Sequence, residues 1–152
     1  MIQRIQSIFL FVSLCFVIPI FFAPVAELVY NTGEILSFNL SGFYMTEAGT
    51  ATCINVPYSL MIFGILICAL NLIIIFLYRH RVLQLRLCVY NILLLIGLMA
   101  VVLFTLYSLQ NVRSVSFSLP AVFPVVSIIL HYLAFRGIRK DEMMVQALSR
   151  LR

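Results

Sequence analysis

Charged and apolar positions divide this chain into blocks. Residues 5–26, 57–78, 87–110 and 119–135 contain no Asp, Glu, Lys or Arg. Each block approaches or exceeds the roughly 20 residues that cross a hydrocarbon core of about 30 Å. Lipid offers no partner to backbone N–H and C=O groups, so such blocks are predicted to be helices. Extending the fourth to residue 138 brings it to full length, with Arg136 reaching back to the headgroups. The pattern predicts an all-α membrane protein with four transmembrane helices in two hairpins, at about 5–26, 57–78, 87–110 and 119–138, within a single domain of residues 1–152.

The connecting segments carry a different period. Residues 27–56 form an outer loop too long to be a bare connection. Within it "ILSFNLSG" alternates, with Leu36, Phe38 and Leu40 on one face and Ser37, Asn39 and Ser41 on the other. In "VSFSL", Val115, Phe117 and Leu119 alternate with Ser116 and Ser118. Both have a strand period, and their pairing would make a small β cap over the outer helix ends. The alternative is an irregular loop that dips aromatic side chains into the interface.

Composition agrees with the blocks. Hydrophobic residues make up 64% and charged residues 10% of the 152, and the mean hydropathy is +1.15. Soluble domains are nearer half apolar and a quarter charged. Lys and Arg in short loops set orientation. Arg4, the "RHRVLQLR" loop and the C-terminal tail hold nine of the ten basic residues, with Asp141 and Glu142. Arg113 falls on the other side with Glu27, Glu34 and Glu47. Both termini are therefore expected in the cytoplasm. The basic balance then describes topology and implies no nucleic-acid partner. The first block is read as an uncleaved span. Its apolar run exceeds that of a signal peptide, and Pro24 sits two residues before the candidate cleavage point after Ala26.

Chemistry inside the blocks is sparse. Pumps and coupled transporters usually need buried ionisable groups, and the blocks hold only neutral polar ones. Gln6, Asn71, Asn91 and His131 fall in the cytoplasmic half, with Ser127 one turn above His131 on the same helix face, and together they form a candidate intramembrane polar cluster. Its reading is a latch of interhelical hydrogen bonds; the alternative is a pocket for a lipid or quinone headgroup. Gly64 and Cys68 have the small-xxx-small spacing that lets another helix approach, and Gly97 is a similar candidate. Pro19, Pro24 and Pro124 can kink their helices. Cys15, Cys68 and Cys88 lie inside blocks as small apolar residues, and Cys53 alone lies outside. No spacing suggests a metal, no cofactor is implied, and there is no phosphate loop or nucleophile motif. The chain is not expected to be an enzyme.

The tail, residues 137–152, is charged and amphipathic. Gly137 suits a helix end, and Asp141 can cap a new helix starting at Glu142. On that C-terminal amphipathic helix Met144, Val145, Leu148 and Leu151 share one side. With Arg136, Arg139 and Lys140 they form an expected interface to anionic headgroups of the lipid bilayer. The alternative is one continuous rod whose apolar stripe binds another membrane protein.

Both ends carry a resemblance. "MIQRIQSIFL" at the start, and "RGIRKDEMMVQALSRLR" with its Arg136-x-Ile138-Arg139-Lys140-Asp141-Glu142 run, resemble a family of small four-span inner-membrane proteins of Bacteroidetes. That family is domain of unknown function forty-two ninety-three. Ser149 stands where the resemblance implies an acid, and Phe135 where it implies a polar residue. The resemblance implies four helices and an inner membrane, and it implies no activity. The expected function is a non-catalytic accessory or scaffold subunit of an inner-membrane assembly. The alternative is binding or transport of a lipid, quinone or other uncharged solute.

Overall fold

The computed structural model describes residues 2–30, 35–47, 50–55, 58–77, 81–109 and 112–150. Four α-helices carry most of the chain: α1 (Ile2–Val17), α2 (Tyr58–Phe76), α3 (Arg81–Ser108) and α4 (Phe123–Arg150). Three segments are long and apolar enough to cross a membrane: Tyr58–Phe76, Val82–Ser108 and Leu119–Met144. The first apolar segment, Ser7–Phe21, is shorter. In the bundle, α1 packs on α2 and α4, and α3 packs on the same two.

The inward positions repeat at heptad spacing. On α2 they are Leu60, Gly64, Ile67, Asn71 and Ile74. On α3 they are Gln84, Cys88, Asn91, Leu95, Leu98, Val102 and Leu106, and on α4 Ser127, His131, Ala134, Ile138 and Asp141. Steps of three and four residues keep one stripe facing the partner helices, the geometry of left-handed bundles.

The first block does not stay helical to residue 26. The α-helix stops at Val17, a 3-10 turn covers Ile18–Phe21, and Ala26 already opens a strand. Pro19 lies at the start of that turn, and a proline ring cannot continue the α-helical hydrogen-bond ladder. The Pro19 carbonyl instead accepts from Phe22 and Ala23 N–H at 3.1 and 2.9 Å. The third block starts earlier than expected. Residues 81–86 of the "RHRVLQLR" loop are the first turns of α3.

The cap is a five-stranded antiparallel sheet, so the protein is largely helical but not all-α. Its strands are β1 (Ala26–Tyr30), β2 (Ile35–Asn39), β3 (Gly42–Glu47), β4 (Thr50–Asn55) and β5 (Val112–Phe117), in the order β4-β3-β2-β1-β5. The two strands that the sequence shows do not pair with each other. They flank β1: Leu28 stands opposite Leu36 on one side and Val115 on the other. Leu36, Phe38 and Leu40 are buried as their alternation predicts, and they share one core with Val17, Ile20, Leu60 and Leu98. The inward reading of β5 fails. Val115 is 39% and Phe117 61% exposed, because this edge strand overhangs the bundle. Below it lies an apolar cavity of about 330 Å³, lined by Phe117, Ile20, Leu98, Val102, Ala121 and Val125 among others.

Hydroxyl and amide side chains of the cap close the end of α1. Ser41 Oγ donates to the Phe21 carbonyl, and Asn39 Nδ2 donates to the Phe22 carbonyl at 3.4 Å. Such carbonyls at a helix end have no intrahelical partner. Ser118 N–H reaches the Val25 carbonyl at 3.0 Å and ties the second connection to the first.

Gly137 does not end the fourth helix, and Asp141 does not start a new one. Helix α4 runs unbroken through both to Arg150. Glycine costs a helix interior only about 1 kcal/mol relative to alanine, while Ile138 and Asp141 continue the buried stripe beyond it. The charged tail is the end of one rod, about 42 Å long at 1.5 Å per residue.

Gly64 does admit close neighbours, one from the helical end of the first segment and one from the cap. A Cβ there would lie 2.6 Å from Phe21 Cζ and 2.7 Å from Leu40 Cδ2. At Gly97 a Cβ would come no nearer than 3.4 Å, to Phe63. Gly64→Val should therefore lower stability by about 1–3 kcal/mol, the cost of overpacking. Gly97→Ala should be neutral or mildly stabilising. Unfolding in mixed micelles measures both, and equal effects at the two glycines would refute the close cap contact.

Candidate functional site: a buried polar layer

The bundle core is not continuous grease. One apolar cluster contains Leu10, Ile74, Cys88, Ala134 and Ile138. The other contains Val17, Ile67, Leu95 and the cap residues. Between them, each helix contributes a fully buried polar side chain: Ser13 on α1, Asn71 on α2, Asn91 on α3, and Ser127 and His131 on α4. Ser13, Asn71, Asn91 and His131 each lie three or four residues from a member of both apolar clusters, and Ser127 lies one turn from His131. The heptad stripes therefore bring them to one level.

His131 is the centre of this layer. Its Nδ1 lies 2.9 Å from the Ser127 carbonyl one turn back and 2.9 Å from Ser13 Oγ. Its Nε2 lies 2.8 Å from Asn91 Nδ2. A carbonyl only accepts, so Nδ1 carries the proton. Nε2 is then the acceptor, and the Asn91 amide donates to it. This neutral tautomer satisfies both ring nitrogens and links α4 to α1 and to α3. Ser127 Oγ adds a longer bond to the Ser13 carbonyl, at 3.4 Å. The Oδ1 of Asn91 and both amide atoms of Asn71 have no protein partner.

Of the polar residues expected to cluster, Asn91, Ser127 and His131 are joined directly, and Asn71 lies on the same stripe level. Gln6 lies on α1, with its side chain outside the described set. Two buried polar residues escaped the sequence reading. Ser13 is a lone small hydroxyl in an apolar run, and only its place between Leu10 and Val17 marks it. Gln84 was placed in a loop; its Nε2 donates to the Ile74 carbonyl at 3.1 Å and closes the end of α2. Its signal was the four-residue step to Cys88.

The tail residues fall into two groups. Arg136, Arg139 and Lys140 are exposed and share a wide open groove on α4 with Tyr132, Phe135 and Met143. Met144 is exposed. The side chains of Val145 and Leu148, and all of Leu151, lie outside the described residues. Asp141 turns into the bundle and is partnered there. Cys15 is exposed on α1, Cys68 half-buried and Cys88 buried, all as free thiols. Cys53 lies in β4, its side chain outside the described set.

Replacing His131 by Leu removes two interhelical bonds and strands Asn91 and Ser13. Interhelical hydrogen bonds in membranes average about 0.6 kcal/mol and reach about 1.7. His131→Leu should cost about 1–2 kcal/mol, measured as micelle unfolding. A cycle with Asn91→Leu should show a coupling of about 0.6 kcal/mol; additive effects would mean that the 2.8 Å contact contributes nothing.

No curated protein matches the chain. A family model described as Domain of unknown function (DUF4293) matches residues 2–151. The match covers all four helices, the sheet and the polar layer, and the chain belongs to that family.

Proposed function

We propose that the chain crosses the inner membrane four times, with both termini cytoplasmic and the sheet outside, as a non-catalytic accessory or scaffold subunit of a membrane assembly. One observation carries this reading. The histidine at the centre of the core is turned on the fold itself, since both nitrogens of His131 bond to protein groups. A general base or ligand-binding histidine keeps one nitrogen for its substrate. The four-span topology draws support from α1, whose Ser13 bonds at the same level as Asn91 and His131, and from the basic residues gathered at the opposite end from the sheet. A thinner or locally thinned bilayer accommodates the shorter first segment.

A second reading keeps one specific support. The apolar cavity beneath β5 has room for part of an uncharged solute or an acyl chain. Native mass spectrometry after gentle-detergent purification separates the two. A second polypeptide at fixed stoichiometry fits the subunit reading. A lone chain carrying a small apolar adduct, lost in Val102→Phe, fits the binding reading and overturns the first.

The rod of α4 also bears on its surroundings. Arg136, Arg139 and Lys140 emerge beside Tyr132 and Phe135, an arrangement suited to anionic headgroups over apolar chains. Each basic residue near such a surface contributes about 1 kcal/mol. In bilayer nanodiscs of mixed composition, replacing all three by Gln should abolish enrichment of anionic lipid around the protein. The wild-type enrichment should weaken as salt rises. Enrichment unchanged by the triple substitution would remove this role.

Orientation is testable through Cys53. A membrane-impermeant thiol reagent added to intact spheroplasts should label it. Labelling only after lysis would reverse the topology.

A further inference from the structure

The polar layer is one hydrogen-bonded chain with a gap in it. Ser13, His131 and Asn91 form a linked series across α1, α4 and α3. Helix α2 contributes Asn71 at the same level, fully buried. One turn to one side of Asn71, Ile74 shares a cluster with Leu10 and Cys88. One turn to the other side, Ile67 shares a cluster with Val17 and Leu95. These neighbours bracket Asn71 against the level of Ser13 and Asn91. Yet Asn71 Oδ1 and Nδ2, and Asn91 Oδ1, bond to no protein group.

In hydrocarbon a polar group left unpaired costs several kcal/mol. Three such atoms on one level, two acceptors and one donor, make a specific demand. The ligand must donate twice and accept once, and it must be small enough to sit between apolar layers above and below. Buried waters typically make about three hydrogen bonds to such groups. Neither the cavity beneath β5 nor a second cavity, between α2 and α3, is lined by Asn71, Asn91 or His131.

We propose that a buried water molecule is bound between Asn71 and Asn91 and joins α2 to the polar layer. It donates one hydrogen to Asn71 Oδ1 and accepts from Nδ2 of the same amide, the cyclic pairing that a primary amide makes with water. Its second hydrogen goes to Asn91 Oδ1. Asn91 then bonds on both sides, to water through Oδ1 and to His131 through Nδ2. All four helices become one network at a single depth.

Solid-state NMR of the ¹⁵N-labelled full chain in bilayers tests the site without any substitution. Magnetisation should pass from water to the Asn71 side-chain amide, and in Asn91→Leu that transfer should weaken. In micelle unfolding, the Asn71→Leu and Asn91→Leu effects should be coupled by about threefold in equilibrium constant, as one interhelical bond gives. Coupling without water transfer in the unsubstituted protein would mean a direct amide–amide bond and would overturn the proposal. So would an Asn71→Leu variant that is more stable and uncoupled to Asn91, because a dry unpaired amide improves when replaced by an apolar side chain of similar size.

Discussion

A histidine buried among apolar helices has to bond through both of its ring nitrogens, and the rest of the bundle is arranged around that requirement. His131 meets it with partners from three helices. The bonds have direction, so they fix what apolar packing leaves loose. Leucine and isoleucine stripes tolerate sliding by a heptad or rotation by a residue, at little cost in lipid. A slide of α1 by one turn would carry Ser13 about 5.4 Å from Nδ1. The polar layer thus selects one register from several that the apolar stripes alone would accept. A single buried polar residue plays this part in soluble coiled coils.

The cap answers the same need at its own end of the bundle. Pro19 stops α1 several residues short of a full span and leaves carbonyls at Phe21 and Phe22 without helical donors. Ser41 and Asn39 supply those donors from the sheet. Phe21 and Leu40 then occupy the space that Gly64 leaves open on α2. Early termination of α1, the tight turn between β2 and β3, and the glycine on α2 therefore form one joint. Phe38 and Phe43, with ring centroids 4.7 Å apart, fill the face of the sheet above it.

Much of this was legible in the sequence, and the misses have physical causes. Long uncharged blocks mark helices because lipid permits little else, so α2 and the lower part of α4 fall where expected. Leu36, Phe38 and Leu40 announced β2 by alternation. The strands β1, β3 and β4 announced themselves poorly, since "AELVY", "GFYMTE" and "TATCIN" lack a clean two-residue period. Val115 and Phe117 show the opposite failure: alternation was present, but an edge strand beyond the bundle has nothing to bury against. Gly137 misled because glycine's preference for helix ends is weaker than a buried stripe that continues past it. In the polar layer, Asn71, Asn91, Ser127 and His131 stood out as the polar exceptions in apolar blocks. Ser13 did not, because a serine in a membrane helix can bond its own preceding turn and carries no signal of what it will meet.

The inward turn of Ser13, Asn71, Asn91, Ser127 and His131 bears on how this protein can be recognised. Its lipid-facing surface, with Ile62, Ile65, Leu93 and Phe104 exposed, offers a neighbouring helix mostly shape, with tyrosine hydroxyls such as those of Tyr90 and Tyr132 as the polar exceptions. Lipid chains match that surface as well as a protein does, since there is no hydrophobic gain in exchanging one for the other. The richest sites for specific contact are then the ends of the bundle, where backbone edges and charges meet water. At one end the sheet presents β4 and β5 as edges, each a row of unpaired backbone groups open to strand addition. At the other, Arg136, Arg139 and Lys140 ride on a helix anchored to the core through Ile138 and Asp141. Because that helix is unbroken from Phe123, its charged end is held rigidly by the same stripe that carries His131. The charged end and His131 therefore sit on one continuous element, and the proposed scaffold role rests on that continuity.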